Sequence, residues 1–308
     1  MRIRATVAAV SGALALSAFA VPVAQAGDGS SASSYRAHAE QALSHLTSSA
    51  SSASSGSSDS SGSGRTALRA PAPPTLDVSF SNFKIAKSVK VGTSGSVSVT
   101  ATYTLTHGAD VDINADDFAN GPLLYKGSSM DNASNMLFGE YPATCTATSA
   151  TTADCKGAIE IDRDEDWLTN ADAGTWSGGG LAMNYSTRVD KVQEGLGKIL
   201  VQRTSQQTVN ASPEPVKKGK TITVTGKLSR ANWEDRKYHG YTGQPVKLQF
   251  RKAGSSTYST VKTVKTNSTG NLSTTVKASV DGYFRYAFAG TSTTPAVNSA
   301  GDYVDVTS

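Results

Sequence analysis

Three groups of side chains have the types and spacing to do chemistry. Asp162, Asp164 and Asp166 recur at every second position, Asp172 follows, and Asp110, Asp112, Asn114 and Asp116 repeat the pattern earlier. Hard cations such as calcium need several oxygen ligands, and an Asp-x-Asp-x-Asp run supplies three. The run is not an EF-hand. Counted from Asp162, the sixth position is Trp167 where the turn needs Gly, and the twelfth is Ala173 where a bidentate Glu belongs; from Asp110 those places hold Ala115 and Gly121. A calcium site on Asp162, Asp164, Asp166 and Asp172 would thus sit in sandwich loops. Residues two apart in a strand share a face, so both runs read equally well as solvated outward faces.

The second group lies between Ser229 and Gln244, where Trp233, Tyr238, His239 and Tyr241 occur with Glu234, Asp235 and Arg236. Aromatic rings among polar groups suit stacking on sugars or anchoring a protein partner. These four residues are the expected ligand contacts. For Trp233 the competing expectation is a plug folded under the loop.

The third group is the pair Cys145 and Cys155, which closes an 11-residue loop and staples a hairpin across Thr146 to Asp154. In the chain-entropy model such a bridge stabilises by roughly 3 kcal/mol. A catalytic thiol would need a histidine and would leave the second cysteine over. Other catalytic patterns are weak. Only His107 and His239 fall in sequence expected to fold, and no Gly-x-Ser-x-Gly or His-Glu-x-x-His run occurs. Ser81-Asn82-Phe83-Lys84 and Ser259-Thr260-Val261-Lys262 have the Ser-x-x-Lys spacing, but it works on a helix and both lie in expected strands. Paired carboxylates for glycoside hydrolysis lack a substrate-sized domain around them. No enzyme is expected.

The elements that must position these groups are mostly strands. Ile222, Val224 and Leu228 alternate with Thr223, Thr225 and Lys227, and Val246, Leu248 and Phe250 with Lys247, Gln249 and Arg251. That is period two, with one wet and one dry face. Leu272 to Ala278, Tyr258 to Lys265, Phe284 to Phe288, Thr208 to Ala211 and Val304 with Val306 bring the count to seven strands in residues 204–308. This is the spacing of an immunoglobulin-like sandwich without the antibody cysteine pair. Residues 75–203 predict a second sandwich with longer loops, from Leu76 to Phe83, Val97 to Leu105, Ile159 to Ile161, Leu181 to Tyr185 and Ile199 to Val201. The fold class is therefore all-β, two tandem sandwiches. Only Thr204 to Gln207 separate them, which predicts stiff coupling.

Ahead of these lie two other segments. Arg2 and Arg4, the apolar run from Ala5 to Val23 and Ala24-Gln25-Ala26 read as a signal peptide over residues 1–26, cut before Gly27. Residues 27–74 are rich in Ser, Ala, Gly and Pro and read as a disordered linker with a span of roughly 35 to 40 Å. Within it Tyr35 to Leu46 has helix formers, with Ala42 or Leu43 facing Leu46, but a lone helix so short is marginal in water. The product is expected outside the cell, which suits the disulfide.

Of 308 residues, 38% are apolar, and two Cys and four His exclude Cys-rich zinc modules and His-rich metal centres. The net charge of +4 hides a division: residues 75–203 carry 10 Lys and Arg against 16 Asp and Glu, and residues 204–308 carry 14 against 6. Such a dipole steers anionic polymers to one end. Lysines 247, 252, 262, 265 and 277 equally suit outward faces that guard strand edges.

The last hundred residues resemble a group of secreted actinobacterial proteins that end in a bacterial immunoglobulin-like domain. The shared features are Val216-Lys217-Lys218-Gly219-Lys220, Thr223-Val224-Thr225-Gly226, Gly243-Gln244-Pro245-Val246 with Leu248 and Phe250, Asp281-Gly282-Tyr283-Phe284 and Gly301-Asp302-Tyr303-Val304. The resemblance implies fold and secretion, and some similar chains are described as calcium-binding. It brings no catalytic residues. The expected function is a secreted, non-enzymatic binding or adhesion protein that contacts cell-wall polymer, glycan or an extracellular protein. No nucleic acid and no membrane span in the mature chain are expected. The alternatives are an extracellular calcium-binding protein and, more remotely, a hydrolase.

Overall fold

The computed structural model describes residues 35–44 and 74–308, Asp164 excepted. The expected signal peptide, and all of the 27–74 segment apart from 35–44 and Pro74, lie outside the described residues.

The chain is all-β, as the alternation predicts, and forms two sandwiches. The first contains β1 (Val78–Ile85), β2 (Ser88–Val91), β3 (Ser96–His107), β4 (Phe118–Lys126), β5 (Asn135–Phe138), β6 (Thr144–Ala147), β7 (Thr152–Asp162), β8 (Gly174–Asn184) and β9 (Val189–Arg203). One sheet has the order β1-β3-β7-β6 and the other β2-β9-β8-β4-β5, with β2 parallel to β9. Period two places Val99, Tyr103 and Leu105 inward, in register with Ile159, Cys155 and Ala153 on β7. Cys145 and Cys155 sit directly opposite each other on β6 and β7 and form the expected disulfide.

Strand β4 breaks the alternation, because seven consecutive residues from Ala119 to Tyr125 are buried. Both faces of the strand are covered. Leu124 points into the sandwich core, whereas Ala119, Leu123 and Tyr125 join Leu181 and Met183 of β8 in a separate outer cluster. That cluster is closed by a helix over residues 35–44, which buries Tyr35, Ala39 and Leu43. The i, i+4, i+8 spacing puts these three on one face. Residues 35–44 thus depart from the expected disordered linker: the helix is marginal alone, and the apolar sheet face it covers supplies the missing stabilisation. The fit is close. A Cβ added at Gly121 would lie 2.2 Å from the Tyr35 hydroxyl oxygen.

The second sandwich contains β10 (Ser205–Gln207), β11 (Asn210–Ser212), β12 (Val216–Lys217), β13 (Thr221–Asn232), β14 (Lys237–Gly240), β15 (Pro245–Lys252), β16 (Ser259–Lys265), β17 (Asn271–Lys277), β18 (Gly282–Phe288), β19 (Val297–Asn298), β20 (Asp302–Val304) and β21 (Val306–Thr307). Strands β10, β11, β14 and β17 pair with β13, and β15 joins β16 to β18, which also pairs with β19 and β20. Strand β12 runs parallel to β21. This is the two-sheet order of an immunoglobulin-like domain. Its core holds Ile222, Val224, Leu248, Leu272, Phe284, Tyr286 and Phe288. The Tyr286 hydroxyl donates to Val224 O at 2.9 Å, and burial pushes its pKa up to about 12.

Strand β13 outruns its own sandwich. Beyond Leu228 it continues to Asn232 and folds back as β14, so the expected loop is a hairpin that reaches the first domain. Trp233, at its tip, is 3% exposed and packs into the first sandwich's core with Trp176 and Val91.

Candidate functional site

Of the four residues expected to contact ligand, Trp233 and Tyr238 pack against the first sandwich. The Trp233 indole donates to Val91 O at 3.2 Å, and its backbone N–H donates to Asn170 Oδ1 at 3.1 Å. Asn170 Nδ2 donates to Asn232 Oδ1 and Glu234 Oε2, and Arg203 Nε donates to Ala231 O. Loss of solvent and the neighbouring Arg230 push Arg203 down to about 10, against Glu234 and Tyr241. Tyr238 packs half-buried on the first core. Tyr241 lies under the Arg230 guanidinium, 3.9 Å from its carbon, and edge-on to Phe288 at 5.7 Å. Only His239 is exposed, and it pairs with Asp235. Trp233 takes the buried position that competed with ligand contact in the sequence, since an apolar ring at the end of an overlong hairpin is more stable in the domain junction than in water.

The described aspartates of the run have separate partners. Asp162 ends β7, and there the chain turns, so alternation no longer places the carboxylates on one face. Asp162 Oδ1 accepts from Glu165 N at 3.3 Å. Asp166 accepts from Asp162 N at 2.8 Å and from Arg36 Nη2 at 3.1 Å. Asp172 accepts from the backbone N–H and hydroxyl of Thr169, capping the short turn Asn170–Asp172. Asp164 lies outside the described residues. Among the described residues no three His, Cys, Asp or Glu gather closely enough to hold a metal ion.

An unexpected surface lies on the outer face of the second sandwich. While Val246, Leu248 and Phe250 of β15 face the core, Lys247, Gln249 and Arg251 face out. On β18 the outward set is Tyr283, Arg285 and Ala287. Strand pairing sets Arg251 opposite Tyr283, and Tyr283 opposite Tyr303 of β20; Gln249 sits opposite Arg285. The side chains stack across the strands. The Arg251 guanidinium carbon lies 3.8 Å from the Tyr283 ring centre, and that ring is 5.0 Å from Tyr303. Tyr258, just before β16, leans in, with Arg285 3.8 Å and Arg251 5.4 Å from its ring centre.

This ladder runs Tyr303, Tyr283, Arg251, Tyr258, Arg285. Gly301 makes room for it, because a Cβ there would lie 2.5 Å from the Tyr258 hydroxyl oxygen. Each of these half-buried cation–π pairs is worth about 0.5–1 kcal/mol or somewhat more, enough to order long side chains. One edge of each guanidinium is held: Arg251 Nη1 donates to Ser255 O and Arg285 Nε to Gln249 Oε1, both at 2.8 Å. Both terminal nitrogens of Arg285 and Nη2 of Arg251 make no hydrogen bond among the described residues. Preordered donors beside ring edges fit carboxylate or phosphate groups on a chain of sugars. Sequence reasoning found the inward partners on these strands. The outward signal was the same alternation, with Arg and Tyr at the odd positions.

No family model matches the chain, and no curated protein does. Solved structures do. A marsupial T cell receptor is 14% identical, over 73% of this chain and 71% of that one, with a TM-score of 0.34. The Escherichia coli adhesin FdeC is 12% identical over 76% and 65%, with a TM-score of 0.33. The fibronectin(III)-like modules of Clostridium thermocellum CbhA are 12% identical over 73% and 92%, with a TM-score of 0.26. At such values the likeness carries no argument about function. Among the described residues no helix is long and apolar enough to cross a membrane.

Proposed function

We propose that the chain is an exported, non-enzymatic binding protein that holds an anionic cell-envelope polymer or acidic glycan on the outer face of β15, β18 and β20. The observation that carries this reading is the ladder of Tyr303, Tyr283, Arg251, Tyr258 and Arg285, with free guanidinium edges on a domain that bears 14 cations against 6 anions. A flat sheet face suits an extended chain better than a compact ligand. The disulfide between Cys145 and Cys155 supports export, since such bonds persist in oxidising compartments. The non-catalytic reading is supported by the three described histidines, each engaged with a different partner: His38 on the helix packs against the Tyr185 ring, His107 contacts Gly108 O, and His239 pairs with Asp235.

Co-sedimentation with purified cell wall tests the reading. Retention is expected at low salt and is expected to fall steeply with ionic strength. Arg251→Ala with Arg285→Ala should weaken it about tenfold, the equivalent of ~1.4 kcal/mol. Retention that ignores both salt and these substitutions would refute the proposal.

A further inference from the structure

Of the three tryptophans, Trp176 and Trp233 are buried and Trp167 is 84% exposed. Its backbone lies in the left-handed region at φ 52°, which is disfavoured for a bulky L residue. Both neighbours are fastened. Asp166 O accepts from Asn135 Nδ2 at 3.0 Å, while the Asp166 carboxylate is gripped by Asp162 N and Arg36. Leu168 is buried in the core, and its N–H donates to Arg163 O at 3.2 Å. The indole is therefore held out in water from an anchored segment.

Beside it opens a cleft of about 560 Å³ between β5, this segment and the helix over residues 35–44. Met136 and Phe138 give it an apolar floor, and the Arg36 guanidinium carbon sits 5.3 Å from the Phe138 ring centre. Asn135, Glu40, Glu165 and Asp172 line its sides. A pyranose ring needs these chemistries together: its C–H face packs on an aromatic plane, and its hydroxyl edges donate to carboxylates and accept from an amide. Charge narrows the class. Arg36 is already bonded to Glu40, Glu140 and Asp166, so the remaining potential is negative, on a domain with 16 acidic against 10 basic side chains. Uronates and phosphates are repelled.

We propose that this cleft binds a neutral saccharide, with Trp167 as the stacking platform and Asn135 and the flanking carboxylates as hydroxyl partners. It is independent of the anionic-polymer face on the second sandwich. The helix over residues 35–44 supplies one wall through Arg36 and Glu40, so the segment ahead of the first sandwich is part of the site.

Fluorescence isolates the platform, because emission quenched by acrylamide comes from the exposed Trp167. The full chain is titrated with soluble neutral pentasaccharides (β-1,4-glucan, β-1,4-N-acetylglucosamine, β-1,4-mannan and β-1,4-xylan), up to about 10 mM, where millimolar affinity still registers. At least one sugar is expected to shift the emission to the blue and protect it from acrylamide, saturably. By calorimetry, Trp167→Ala should weaken that sugar at least tenfold with the circular dichroism unchanged, and Trp167→Tyr should keep affinity within a few-fold. The proposal fails if no pentasaccharide perturbs the wild type, or if the alanine variant binds as tightly.

Discussion

The two sandwiches use the same face in opposite ways. In the first, the outer side of β4 and β8 carries Ala119, Leu123, Tyr125, Leu181 and Met183, and the helix over residues 35–44 covers it. In the second, the outer side of β15 and β18 carries Lys247, Gln249, Arg251, Tyr283 and Arg285, and no described element covers it. The topology is shared, so the outward residues alone decide. An apolar face exposed at this size associates with whatever it meets, and here a segment of the same chain is attached close by. A face of stacked arginine and tyrosine stays hydrated at its edges and needs no cover from the rest of the chain.

The largest expected break in this comparison comes from removing one ring on each face. Tyr35, on the helix, is fully buried against the sheet, so Tyr35→Ala should cost about 3 kcal/mol in a denaturant melt. Tyr283→Ala, on the open face, should cost no more than about 1 kcal/mol. Equal losses would mean that the faces are not different in kind. Next in size is Gly121→Ala. Its methyl group would meet the Tyr35 hydroxyl at 2.2 Å, and overpacking of this sort costs about 1–3 kcal/mol. Hydrogen exchange should rise in residues 35–44 while β3 and β7 stay protected.

A smaller effect is pH dependence at the helix clamp. Loss of solvent pushes Asp166 up to about 6, against the pull of the Asp162 N–H and Arg36. Burial pulls Arg36 down, and its hydrogen bonds to Glu140 and Asp166 more than reverse this, so the pair looks favourable from the cation and costly from the acid. The acid decides, because Arg36 keeps Glu140 whichever state Asp166 adopts. In the unfolded chain an aspartate titrates near 3.9, about two units lower. The stabilising contribution of protonated Asp166 is therefore complete below that value and is lost as pH rises through about 6. The melting temperature should fall across that window, and Asp166→Asn should flatten the fall. An unchanged slope in the variant would assign the titration to another group.

Much of the scaffold was legible in the residues because burying one face imposes period two, as in Val246, Leu248 and Phe250 or in Tyr103 and Leu105. Strand β4 was not, since a strand covered on both sides reads as a continuous apolar run. The helix had its stripe at Tyr35, Ala39 and Leu43, but burial of that stripe depends on a sheet face that sequence spacing does not reveal. The two loop tryptophans show the limit most plainly. Trp233 sits among polar residues and is buried because β13 carries its hairpin across to the other domain; Trp167 stands in an aspartate run and is exposed because its neighbours are pinned. The ladder also escaped the sequence. Arg251, Tyr283 and Tyr303 come together only through strand register, which alternation leaves undetermined.

The proposed role of the second sandwich is to hold a polyanion on its outer face. Hydrogen exchange of the intact chain, with and without a soluble polyuronate or polyol-phosphate fragment at low salt, tests it directly. New protection is expected at residues 247–251, 283–287 and 302–304, lost in the Arg251→Ala, Arg285→Ala variant. Protection that appears instead on the first sandwich, or that survives in the variant, would contradict it.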